Sequence, residues 1–144
     1  MNNRLRSFFS LTAASIALFG ASAAVAADPQ AGLYTTEVKG GLDVGKDGAI
    51  ELVIKPAKGW KWNKDYPAKL ELVNGQKVTF SKVALKKTEG DIKGDDTAGT
   101  VAIKGRGNAA GSETVSGTMS FSLCNEETCQ VLRQRAVPFA VTVK

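Results

Sequence analysis

A chain of 144 residues with 19 Lys and Arg against 14 Asp and Glu carries a formal charge of +5 and contains no histidine. Its lysines are scattered among acidic residues rather than grouped in a stripe, so the basic balance serves solubility and is no nucleic-acid footprint. The missing histidine removes the usual base of a Cys-His hydrolase.

The first element is an export signal. Arg4 and Arg6 form a basic n-region, Phe8 to Val25 is a mostly apolar stretch without a charge, and Ala24-Val25-Ala26 or Val25-Ala26-Ala27 supplies a small-residue cleavage site. Residues 1–26 are read as a cleaved signal peptide rather than a retained anchor, because Ala and Ser dilute the stretch and it turns polar abruptly at Asp28. No cysteine follows the cleavage region, which argues against a lipid-anchored lipoprotein, and no second apolar run approaches a membrane span. The expected location is the periplasm. Residues 27–144, about 118 in number, have the length of one domain. Without Arg4 and Arg6 the basic count falls to 17 against 14, a net charge near +3.

From there the chain alternates apolar and polar residues in short runs, the period of β-strands. Ile50, Leu52 and Ile54 form the first run, then come Leu70 and Leu72, Val78 and Phe80, and, after a phase change near Ser81, Val83 and Leu85. Val101 and Ile103 follow. The last third carries the longest runs, Val115, Met119, Phe121 and Leu123, then Val137, Phe139, Val141 and Val143. Turns are expected at Gly40-Gly41, Asp47-Gly48, Asn74-Gly75, Glu89-Gly90, Gly94-Asp95 and Gly105 to Gly111. The spacing predicts an all-β fold, an immunoglobulin-like antiparallel β-sandwich of about seven or eight strands, with a small barrel as the alternative. Glu89 to Ala98 is the most loop-like internal stretch. Its Glu89, Asp91, Asp95 and Asp96 lack the ordered ligand spacing of an EF-hand and read as a solvated loop.

Cys124 and Cys129 are the only cysteines, separated by Asn-Glu-Glu-Thr, and in an exported chain they are expected to pair. From Val115 to Leu123 the apolar residues take odd positions and Ser or Thr take even ones, so Cys124 is expected on the polar face, near the surface. That differs from the inward, long-range disulfide of antibody domains. Closing a loop of roughly six residues contributes only about 2 kcal/mol in the chain-entropy model. Three roles stay open: a structural staple across a hairpin, a redox-active pair, or a metal site. Metal is the weakest, since two thiolates without a histidine cannot complete a four-ligand site. No Cys-x-x-Cys motif is present, so this is not a thioredoxin active site. Glu126 and Glu127 are expected to raise the thiol pKa values, and Arg133 and Arg135 to offset part of that.

The segment Ile54 to Asn63 with its Gly59-Trp60-Lys61-Trp62, the strand from Pro67 to Val73, the Cys124-x4-Cys129 pair and the final Val137-Pro138-Phe139-Ala140-Val141 strand together resemble the periplasmic N-terminal domain of the thiol:disulfide interchange protein DsbD. The resemblance spans about Ile50 to Val143. It implies an immunoglobulin-like fold whose cysteine pair cycles between disulfide and dithiol, with Cys124 and Cys129 as the redox pair and Cys129 as the residue that forms mixed disulfides. It further implies shielding or partner contact near the pair by Trp60, Trp62 or Tyr66, and by Ile92 in the place of the family's cap loop; from the residues alone, Trp60, Trp62 and Tyr66 also read as alternate aromatics that pack on a sheet edge or in the core. The implied partner is a thioredoxin-like protein, periplasmic or membrane-tethered, with no cofactor and no metal. A non-enzymatic exported binding or assembly module with a structural hairpin disulfide is the reading from a different class.

Overall fold

In a computed structural model, which describes residue 30 and residues 32–144, the period-two runs become strands. These are β1 (Tyr34–Lys39), β2 (Asp47–Pro56), β3 (Lys61–Trp62), β4 (Lys69–Leu72), β5 (Val78–Phe80), β6 (Ala84–Lys86), β7 (Ile92–Gly94), β8 (Gly99–Gly107), β9 (Gly111–Cys124) and β10 (Cys129–Val143). The signal segment and its cleavage region lie outside the described residues.

The strands form two five-stranded sheets. One has the order β1-β2-β8-β5, with β7 sharing the far edge of β8; the other has the order β10-β9-β4-β6, with β3 beside β9. Every strand pair is antiparallel. β1, β2, β8 and the β5/β7 edge correspond to strands A, B, E and D of an immunoglobulin domain, and β4, β9 and β10 to C, F and G. After β1 the chain crosses between the sheets: Leu42 pairs in parallel with Val143 at the end of β10, and Val44 with Gly107 at the end of β8.

Inward residues of both sheets make one core. Leu52, Ile54, Val101 and Ile103 from the first sheet and Leu70, Met119, Phe121 and Leu123 from the second are completely buried. Strands that alternate can bury one face only if a second sheet covers it, which is why the pattern yields a sandwich.

Several local expectations change. The turn expected at Asp47-Gly48 lies earlier, at residues 43–46, because Gly45 supplies the positive φ of +74° that the reversal needs, and Asp47 and Gly48 then belong to β2. Val83 is 43% exposed and precedes β6, so only Leu85 of that pair enters the core. The supposed loop Glu89 to Ala98 contains β7, and two of its carboxylates hold the backbone. Asp91 accepts from the Lys86 N–H at 3.0 Å, and Asp95 from the N–H groups of Thr97 and Ala98 at 2.7 and 3.1 Å. β1, β3 and β7, which match none of the expected runs, raise the count above the seven or eight expected.

Glu113 ties the loop that crosses from β4 to β5 onto β9, accepting the N–H groups of Gln76 and Lys77, each at 2.8 Å. These backbone bonds hold its carboxyl below the ordinary value of 4.5. A carboxyl whose folded-state pKa is depressed contributes stability above its unfolded pKa and loses it as pH falls through the folded value. Glu113→Gln is therefore expected to destabilise the domain at pH 7 and to approach the parent as the pH falls through the lowered pKa of Glu113, measured by thermal melts. Parallel acid limbs for the two proteins would refute it.

Candidate functional site

The β9–β10 hairpin carries the cysteines because Asn125 closes its turn. The Asn125 N–H donates to the Thr128 carbonyl at 2.9 Å, and its side-chain oxygen accepts from the N–H groups of Glu127 and Thr128 at 2.9 and 2.7 Å. An Asx turn of this kind uses the short polar side chain in place of backbone. With the pair Asn125 and Thr128 hydrogen-bonded, the next facing pair is the closely spaced, non-hydrogen-bonded type. That pair is Cys124 and Cys129, whose Cα atoms are 4.0 Å apart and whose sulfurs are bonded.

The two cysteines differ in access. β9 lies between β3 and β10 at this level, whereas β10 is the outermost strand of its sheet. Cys124 is half-buried and Cys129 is exposed. Leu123 beside Cys124 is completely buried, so Cys124 projects from the outer face, as the strand phase predicted.

On the other side of Cys124 stands Lys61, its facing residue across the β3–β9 pairing, with Trp62 facing Leu123. Trp62 is 3% exposed and stacks on Phe121 at 5.5 Å with an interplanar angle of 12°. Since Trp62 and Leu123 both enter the core, Lys61 and Cys124 share the outer face. Asn63 continues the pairing, donating its N–H to the Ser122 carbonyl at 3.0 Å and its amide to the Ser122 Oγ at 3.3 Å.

The other residues singled out from sequence spread apart. Trp62 is core, as is Ile92, which is 2% exposed and faces Val101. Trp60 is half-buried against the core edge. Tyr66 lines a shallow depression of about 380 Å³ with Pro67, Lys69, Ser120, Arg133 and Gln134. Cys129 is exposed and does not line that depression.

Between Leu132 and Arg135 a bulge puts an extra residue into β10, with Gln134 at a φ of 48° and its N–H donated to the Ser120 Oγ at 3.0 Å. Arg133 keeps the face of Cys129 and Val131. Arg135 is shifted opposite Met119, the core-facing phase, and is half-buried. Only one of the two arginines therefore shares a face with the cysteines, and Lys61, which sequence reasoning passed over, stands directly beside Cys124. The one sequence signal for Lys61 was its position between two tryptophans in a strand-like alternation. No protein-family model matches the chain, and no curated protein matches it.

Most of the fold owes nothing to the bond, since the core lies on the opposite face of β9 and the Asn125 turn closes the hairpin without it. The double change Cys124→Ser and Cys129→Ser is expected to cost about 2 kcal/mol, leaving a folded domain if total stability is in the usual range of about 5 to 15 kcal/mol. Denaturant melts with circular dichroism measure this. Global unfolding at room temperature would make the bond a staple.

Proposed function

We propose that the protein works in the periplasm as a thiol-disulfide exchange domain, passing electrons to and from a thioredoxin-like partner through Cys124 and Cys129. The observation that carries this is their unequal exposure at a site apart from the core: Cys129 exposed on an edge strand, Cys124 half-buried one strand inward. A partner thiolate meets Cys129 first. Its attack forms a bond to the Cys129 sulfur, breaks the Cys124–Cys129 bond and leaves the electron pair on Cys124 as a thiolate. The partner's second thiol then displaces the Cys129 sulfur. The partner dithiol is thereby oxidised to a disulfide and this chain's disulfide reduced to a dithiol, with two electrons and two protons transferred. The reverse sequence passes them to an oxidised partner. The resemblance of the Gly59 to Trp62 segment and the Cys-x4-Cys pair to the N-terminal domain of DsbD supports the same assignment.

Cys124→Ser removes the thiol that would resolve a mixed disulfide, so this variant is expected to trap a thioredoxin-like protein on Cys129. Cys129→Ser is expected to trap far less. Non-reducing gels of periplasmic extract, with mass spectrometry of the trapped bands, compare the two. Equal or absent adducts would leave the non-enzymatic module with a structural hairpin disulfide.

A further inference from the structure

We propose that Lys61 is a positioning residue for this exchange, a fixed cation that stabilises Cys124 as the leaving thiolate. The inference rests on the exchange reading of the cysteine pair and adds the group that governs its rate.

If Cys129 is the sulfur attacked, Cys124 is the sulfur that leaves, and a better stabilised leaving thiolate departs faster. From β3, Lys61 faces Cys124 directly across the pairing and is exposed. Facing residues on one side of an antiparallel pair have Cβ atoms only about 5 Å apart. From the hairpin loop, Glu126 and Glu127 are exposed at the tip, beyond the disulfide. From β10, the first charge on the same face is Arg133, on the far side of Cys129 and Val131. From the segment after β3, Lys64 is engaged by Asp96 at 3.6 Å, while Asn63 is engaged by Ser122. Among the described residues Lys61 is in no ion pair, so its charge is uncommitted.

The positive charge therefore stands nearer Cys124 than Cys129 and acts more strongly on Cys124. Lys61 adjoins Cys124 on β9, and Cys129 lies a strand further away on β10. An opposite charge beside a thiol favours its ionised form. The asymmetry matches the direction of the chemistry: the exposed sulfur is attacked, and the sulfur next to the cation departs.

The test reads each thiol alone. In a Cys129→Ser background, the rate of Cys124 alkylation by iodoacetamide, an uncharged probe, is followed against pH with Lys61 intact and with Lys61→Gln, Lys61→Glu and Lys61→Arg. Lys61→Gln is expected to raise the apparent pKa of Cys124 by about half a pH unit, and Lys61→Glu by about one, for charges several ångströms apart in water. Lys61→Arg is expected to hold the parent value, and 1 M salt to shrink the differences. The same changes in a Cys124→Ser background are expected to shift Cys129 clearly less, because it lies one strand further from Lys61. Circular dichroism melts confirm that each variant is folded. An unchanged Cys124, or equal shifts at both cysteines, would overturn the role of Lys61. Trapping by Cys124→Ser with Lys61 intact reports on the exchange reading separately. Trapping without a Lys61 effect removes only this inference, and failure to trap removes both.

Discussion

Trp62→Ala is expected to destabilise the domain by about 3 to 5 kcal/mol, the range for truncating a large buried aromatic. The indole is 3% exposed, stacks on Phe121, and is bounded on the first sheet by Gly94 and Gly99. Those two glycines have no side chains that could swing into the space left behind. The cavity therefore persists, and its cost adds to the lost burial. A urea melt measures the difference through the change in midpoint at constant slope. A loss under about 1.5 kcal/mol would show that the sheets close over the gap, contrary to the packing described. The loss is a large share of the stability of a small domain, so the melt is best read at low temperature.

The second large effect comes from the opposite side of the same contact. A Cβ on Gly99 would meet three ring atoms of Trp62 at 2.5 to 2.6 Å, distances that no rotamer of the new side chain relieves. Gly99→Val is expected to cost about 3 kcal/mol, the upper part of the overpacking range, even though valine suits a strand better than glycine. The two changes occupy the same space, so they should not add. With Trp62→Ala already present, Gly99→Val is expected to lose most of its penalty, a coupling of at least about 1 kcal/mol in a double-mutant cycle. Strict additivity would mean that the glycine is needed for its backbone and not for the ring above it.

This contact also explains why Trp62 holds the site without touching the sulfurs. Its side chain enters the core opposite Gly94 and Gly99, so its neighbour Lys61 must emerge on the outer face, where Cys124 stands. Trp62, one of the aromatics weighed between core packing and a place near the disulfide, packs in the core and locks the strand that carries a lysine beside Cys124.

Alternation is a local property, and what depends on alternation was legible. Val115 to Leu123 predicted β9 and the outward phase of Cys124, and Val137 to Val143 predicted the inward face of β10. The short polar connection between the cysteines was compatible with a hairpin, and Asn125 closes it. The sandwich itself followed from many short runs that each need a cover for one face.

Turn positions were less legible, because a Gly marks where a reversal is permitted and not where it occurs. Gly45 was used, and Gly48 was absorbed into β2. Ile92 was hidden as a strand residue among Gly and Asp because β7 is only three residues long, too short for a periodic signal.

By itself, the sequence determined which residues alternate, which face each long strand buries, and that two nearby cysteines stand at a strand end on a polar face. The tertiary structure decided which strands become neighbours, and so put Lys61 beside Cys124, carried Arg135 to the core-facing phase through the bulge at Gln134, and placed the ring of Trp62 against Gly94 and Gly99. The physical reason is range: side-chain direction follows from backbone geometry within a few residues, whereas register and strand order are settled by packing between segments tens of residues apart.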